Sequence, residues 1–175
     1  MIIPLLEGRK LTESGKTLQQ QTGKTLPSFL RKFDLSGKFG ELATLYDVEG
    51  TFSQRVLMLG AGDEKKLSLQ KIRALAAKVA REIDKSGARD VSFYLPELMV
   101  RGTVVAERVQ AIAEGIWLGL YSFEKYKSKK DENKRALRSV TTMVASRRDL
   151  DDARSEEHTS DLQSHHALVF ALLLE

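Results

Sequence analysis

The chain has 175 residues, 42% hydrophobic and 30% charged, with 28 basic and 24 acidic side chains and a formal net charge of +4. That is enough chain for one domain with a sizeable core, in the composition of an ordinary soluble globular protein. It contains no cysteine, which excludes a disulfide framework and a thiolate metal site, and no apolar run approaches the ~20 residues of a membrane span.

Residues 1–6, with Pro4 inside, read as a strand near a sheet edge or at its start. The opening MIIPLLEGRK has neither the charged leader nor the small-residue cleavage site of a secretory signal, so the expected compartment is the cytoplasm. Residues 11–22 read as a helix stopped by Gly23, and residues 26–33 as a short helix with Pro27 in its first turn. A turn-rich loop over 34–40 leads to a strand over 41–48.

The stretch 55–97 organises the rest. Residues 55–59 form a short apolar strand closed by Gly60 and Gly62. Ser68 is placed to cap a helix in which Leu69, Ile72, Leu75, Ala76, Val79 and Ile83 share one face, and Ser86-Gly87 ends it. A second strand follows over 91–95, stopped by Pro96. Strand, crossover helix and strand predict parallel pairing. The expected fold is therefore α/β.

A second long helix is predicted over 103–126, because Val105, Val109, Ile112, Ile116, Leu120 and Phe123 step by three and four, with Ala113 and Trp117 widening the face. That face reads as core, or as a surface for a partner. A lysine-rich loop and a β-branched strand over 138–145 come next. Residues 154–175 differ in kind. Arg154 there stands against Glu156, Glu157, Asp161 and Glu175, which leaves 27 basic and 20 acidic side chains in residues 1–153. All three histidines (His158, His165, His166) also fall in this last segment. The body thus lacks the commonest general base and metal ligand.

Three groups of residues invite a functional reading. Gly60-Ala61-Gly62, between strand and helix, suggests a phosphate turn, but a third glycine and an acidic residue ending the second strand are missing. Lys125, Lys127, Lys129, Lys130, Lys134, Arg135 and Arg138 form a basic patch around Tyr126 that could hold a nucleic-acid backbone, although a solvated loop is the commoner meaning. The three histidines could ligate a metal only in an ordered setting, and Asp149, Asp151 and Asp152 read as a solvated linker. No residue is assigned a catalytic, cofactor-binding or metal-binding role.

The segments IIPLLEG, LPSFLRKFDLSGKFGE, QRVLMLGAG and GIWLGLYSFEKYKSKK, with the strand ending near Ser146-Arg147-Arg148, occur in an order that resembles the N-terminal domain of the leucyl (cytosol) aminopeptidases over residues 1–153. The resemblance implies a three-layer α/β/α domain, a mixed sheet with a parallel βαβ core similar to a macro domain. It further implies a strand before Met1 and a larger catalytic domain, absent from this chain, that holds two divalent metals (zinc or manganese). It also implies a homohexameric parent, with DNA binding in some bacterial members. The family's NTDAEGRL-like catalytic segment does not occur here, so no catalytic residue carries over. RSEEHTSDLQS at 154–164 is one residue away from RSEEHTSELQS, the translation of a common sequencing adapter, and LVFALLLE resembles its continuation, LVCRLLLE. Residues 154–175 are accordingly expected to be an adapter-derived, disordered tail.

Two readings follow. One is an aminopeptidase N-terminal domain, inactive by itself, that serves in assembly or regulation. The other is a stand-alone α/β module binding nucleic acid or an ADP-ribose-like ligand.

Overall fold

The computed structural model describes residues 1–51, 53–121 and 137–144, together with the backbone of 169–174. Its strands are β1 (Ile2–Leu6), β2 (Lys10–Leu11), β3 (Leu42–Tyr46), β4 (Arg55–Gly62), β5 (Asp90–Phe93), β6 (Ser139–Val144) and β7 (Val169–Leu174). Its α-helices are α1 (Glu13–Thr22), α2 (Thr25–Lys32), α3 (Leu69–Ser86) and α4 (Val105–Leu120). The sheet runs β3-β4-β1-β5-β6-β7, with β2 beside the end of β1. Strands β4, β1, β5, β6 and β7 are parallel, and β3 and β2 are antiparallel to their neighbours.

Period-two side chains divide the sheet between two cores. Ile2 and Leu6 of β1, with Leu57, Leu59 and Ala61 of β4, pack under α3 and α4. Ile3 and Leu5, with Val56 and Met58, pack against Leu18 of α1 and Leu26 and Leu30 of α2. The result is the three-layer α/β/α sandwich with a mixed sheet.

Helix α3 begins where expected: Ser68 Oγ accepts from the Lys71 amide at 3.3 Å, and Gly87 closes it at φ 66°. Helices α3 and α4 approach closely through two glycines. A Cβ on Gly115 would strike the Arg73 carbonyl and lie 2.7 Å from Ala76 Cβ, and one on Gly119 would strike the Ala77 carbonyl and lie 2.8 Å from Ala80 Cβ. The Arg73 guanidinium holds Glu114 across the same seam, at 2.6 Å from Nε.

Several expectations are corrected. β4 and β5 are parallel but not adjacent, because β1 lies between them. β1 is therefore central and fully buried, not at an edge. Pro4 is tolerated there because β5 pairs with β1 only at Ile2 and β2 only at Leu5 and Leu6, so neither places a ladder partner opposite Pro4. The Pro4 carbonyl on that side accepts instead from Thr12 Oγ1 at 3.2 Å. Leu11 belongs to β2, and α1 starts only after Thr12. β5 stops at Phe93, since residues 95–97 wind into a 3-10 turn around Pro96. Helix α4 ends at Leu120; of the rest of its predicted length, Tyr121 is its C-cap and 122–126 fall outside the described residues.

Disorder was expected throughout 154–175, whereas Val169–Leu174 form a strand parallel to β6 from Ser139↔Val169 to Val144↔Leu174. The reason is the open backbone edge of β6, whose donors and acceptors an extended segment can satisfy. Residues 145–168 and 175 fall outside the described residues.

Candidate functional site

In open α/β sheets, ligands sit at the carboxyl ends of the parallel strands. At the end of β4, beside β1, that place is taken by the chain itself. Gly60 and Gly62, expected in a turn, lie within β4. The Gly60 amide donates to the Glu41 carbonyl and the Gly62 amide to the Gly37 carbonyl, each at 2.8 Å. A side chain on Gly60 would collide with the Lys38 carbonyl. These glycines therefore admit the loop over residues 34–41, and their amides are not offered to a phosphate.

That loop curls its amides into a concavity of the kind that binds anions, and the anion is internal. Glu41 Oε2 accepts from the amides of Ser36 at 2.9 Å, Gly37 at 2.8 Å and Lys38 at 3.1 Å, and Oε1 from Ser36 Oγ at 2.9 Å. Desolvation works to raise the Glu41 pKa, but these hydrogen bonds together outweigh it and hold the group below its ordinary range.

A second anion position, the N-terminus of α1, is filled the same way. Glu97, on the turn after β5, reaches over to accept from the Ser14 amide at 2.9 Å and from the Ser14 hydroxyl. Burial raises the Glu97 pKa and outweighs the Ser14, Thr12 and Glu13 hydrogen bonds that act against it. Around this rim charges are paired: Lys10 with Glu64, Lys66 with Asp63 at 3.6 Å, and Arg9 with Asp34 at 3.3 Å. Buried Arg108 of α4 ties the same turn down, donating through Nε to the Pro96 carbonyl at 3.0 Å and through Nη1 to the Thr103 carbonyl at 3.3 Å.

Sequence reasoning did not single out Glu41, Glu97 or Arg108. Ser14 and Glu97 are 83 positions apart and no local pattern joins them. The open hollow of about 470 Å³ lined by Lys16, Gln19, Gln20 and Gly23 lies on α1, with no convergent charged cluster.

Of the basic patch, Lys125, Lys127, Lys129, Lys130, Lys134 and Arg135 fall outside the described residues. Arg138 is described and engaged: it holds Asp90 with two hydrogen bonds of 3.1 Å, and Ser139 Oγ donates to the same carboxylate at 2.9 Å. The Ser139 hydroxyl and then Arg138 keep the Asp90 carboxyl below its ordinary range. His158, His165, His166, Asp149, Asp151 and Asp152 also lie outside the described residues. Among the described residues no three His, Cys, Asp or Glu side chains cluster as metal ligands, and no helix is long and apolar enough to cross a membrane.

What remains open is apolar surface. Trp117 is half-buried, and Val104, Leu118 and Tyr121 at the two ends of α4 are 56%, 64% and 69% exposed.

The same architecture occurs in solved structures. A tomato leucine aminopeptidase variant superposes with a TM-score of 0.66 at 20% identity, covering 90% of this chain and 32% of its own. The bottromycin maturation enzyme BotP, also solved in complex with Mn, gives 0.60 at 23% identity, covering 87% and 28%. Among curated proteins, the probable cytosol aminopeptidase of Thioalkalivibrio sulfidiphilus is 33% identical over 150 residues, 86% of this chain and 30% of that protein. That of Psychromonas ingrahamii is 32% identical over 171 residues, 98% of this chain and 32% of that protein. The chain thus spans about a third of the length of these relatives. Residues 2–130 match the model of the cytosol aminopeptidase family's N-terminal domain, and with the shared fold this establishes that the chain belongs to that family.

Proposed function

We propose that this chain is the non-catalytic N-terminal domain of a leucyl aminopeptidase that removes N-terminal residues from peptides in the cytoplasm. Its role is in assembly or regulation of a homohexameric enzyme. The observation that carries this reading is the closed rim. Among the described residues, two positions of the kind that take anions, the 34–41 loop and the N-terminus of α1, hold the chain's own carboxylates, Glu41 and Glu97, while apolar surface on α4 stays open.

The two divalent metals of the parent, zinc or manganese, do not fit the described residues, which lack a three-ligand cluster. No step of the hydrolysis is therefore assigned to them. Residues 154–175 are taken, within the same proposal, as translated adapter sequence.

The test starts from the source DNA across codons 150–175. We expect a continuing frame with an NTDAEGRL-like segment, whose full-length product releases leucine from a leucyl amide in a metal-dependent manner. The 175-residue chain should release none. A frame that ends at Glu175, or leucine release by the 175-residue chain, would overturn the reading.

A further inference from the structure

An edge strand shows a row of unpaired amides and carbonyls, so it attracts extended chain. Val169–Leu174 already take the β6 edge, which leaves β3 as the open edge on the far side of the sheet. The Glu41 carbonyl accepts from the Gly60 amide and the Asp47 amide donates to the Gln54 carbonyl, so these residues turn their backbone groups toward β4. By the alternation of an antiparallel ladder, the amides and carbonyls of Leu42, Thr44 and Tyr46 point outward. Among the described residues they have no partner. The strand carries no proline, lysine or bulge to blunt that edge.

Its surroundings are basic and aromatic. Leu42 packs into the α3–α4 core, so Thr44 and Tyr46 lie on the same α3 side of the sheet. There the exposed Tyr46 ring sits 5.8 Å from the Arg55 guanidinium. Phe39, just before the strand, is half-exposed with Lys71 Nζ 5.8 Å from its ring centroid. Beside it, Lys78 Nζ donates to the Gly40 carbonyl at 2.6 Å. Among the described residues none of these three cations is ion-paired. The carboxylate of Glu41 is bound within its own loop, and Asp47 stands beyond the last residue of β3.

We propose that the β3 edge docks an acidic, extended segment of a partner polypeptide, which adds a strand to the sheet. Its backbone pairs with Leu42, Thr44 and Tyr46, and its carboxylates face Lys71, Lys78 and Arg55. Charge decides the occupant. A second copy of this chain, paired edge to edge about a two-fold axis, would set two such basic strips side by side. A single-stranded nucleic acid would suit the cations and rings but cannot answer a strand's alternating donors and acceptors. The inference goes beyond the aminopeptidase reading and does not rest on it.

The probe is a fluorescein-labelled peptide of about ten residues alternating glutamate and valine, enough to run from Phe39 past Tyr46 at ~3.3 Å per residue. Its binding to the 175-residue chain is followed by fluorescence anisotropy at low salt. T44P removes the central outward amide and leaves the bonds to β4 in place, since proline is accommodated on edge strands. K71Q/K78Q removes two charges without touching the ladder, and K16Q, on α1 across the sheet, is the control. Saturable binding is expected, weakened roughly tenfold in T44P and in K71Q/K78Q and unchanged in K16Q. The same peptide with lysine in place of glutamate should also bind roughly tenfold more weakly. No saturable binding by the folded chain, or equal binding by K71Q/K78Q, would overturn the inference. So would tighter binding of an oligothymidine, or self-association in sedimentation velocity that T44P abolishes. If circular dichroism shows that T44P does not fold, the double lysine variant and the lysine peptide decide the matter. Leucine release by the full-length enzyme is a separate readout, so the loss of either reading leaves the other standing.

Discussion

Two glutamates with one task respond oppositely to pH. Glu41 and Glu97 each satisfy backbone amides, yet the Glu41 carboxyl is held below its ordinary range and the Glu97 carboxyl is pushed above it. For Glu97, burial is the largest influence; for Glu41, the sum of four hydrogen bonds overcomes it. A lowered folded-state pKa means that stabilisation by Glu41 is present above its unfolded pKa and is lost as pH falls through the folded value. A raised one means that the contribution of Glu97 is fully present below its unfolded pKa and is lost as pH rises through the folded value. E41Q should therefore be less stable by about 1–3 kcal/mol at pH 7, from loss of charge-assisted bonds, and urea midpoints should converge with the parent in acid. E97Q keeps an oxygen for the Ser14 amide and removes the buried charge. It should match or exceed the parent at pH 7, whereas E97A, leaving that amide unpaired, should lose about 1–3 kcal/mol. Equal losses in E97Q and E97A would show that the charge itself stabilises. Neither cap was legible in the sequence. Glu41 reads as the first residue of a strand that in fact begins at Leu42, and Glu97 acts on a helix distant in the chain, so only the folded geometry joins donor to acceptor.

Helices and strands were legible wherever local chemistry decides them. Ser68, the three- and four-residue spacing of α3, and Gly87 each act on their own neighbourhood, and all three stand as read. The place of β1 in the sheet was not, because strand order depends on pairings between distant segments. Pro4 argued locally for an edge, and the short reach of β5 removed the objection. The α3–α4 seam illustrates the same limit and yields a test. In an isolated helix, alanine is favoured over glycine by about 1 kcal/mol. At Gly115, however, the added methyl meets the Arg73 carbonyl, which belongs to helix backbone and cannot swing away. Overpacking of this kind costs about 1–3 kcal/mol, so the clash outweighs the propensity. G115A should unfold at lower urea concentration than the parent, and G119A likewise, because Ala77 and Ala80 block it. A gain in stability from either would mean that the helices separate more easily than their packing indicates.

At the scale of the whole molecule, the family resemblance carried what local patterns could not: three layers and a mixed sheet. Its physical content is that one sheet serves two cores. Adjacent residues of β1 and β4 point into opposite layers, so neither layer can lose its packing without disturbing strands that the other needs. The described domain should then unfold as one unit, and a lesion in one layer should be felt in the other. Leu26 of α2 is fully buried in the α1–α2 layer, while Trp117, the chain's single tryptophan, sits on α4 across the sheet. L26A should cost about 2–5 kcal/mol through lost burial and the cavity left behind. It should shift the urea midpoint seen by Trp117 fluorescence by the same amount as that seen by far-UV circular dichroism. If Trp117 reports an unshifted transition while circular dichroism records an earlier one, the α3–α4 layer holds its strands unaided. The closed rim, which joins α1 to the turn after β5 through Glu97, would then be a contact between separately folding halves. Coincident, equally shifted transitions instead make Glu97 and the shared strands parts of a single cooperative structure.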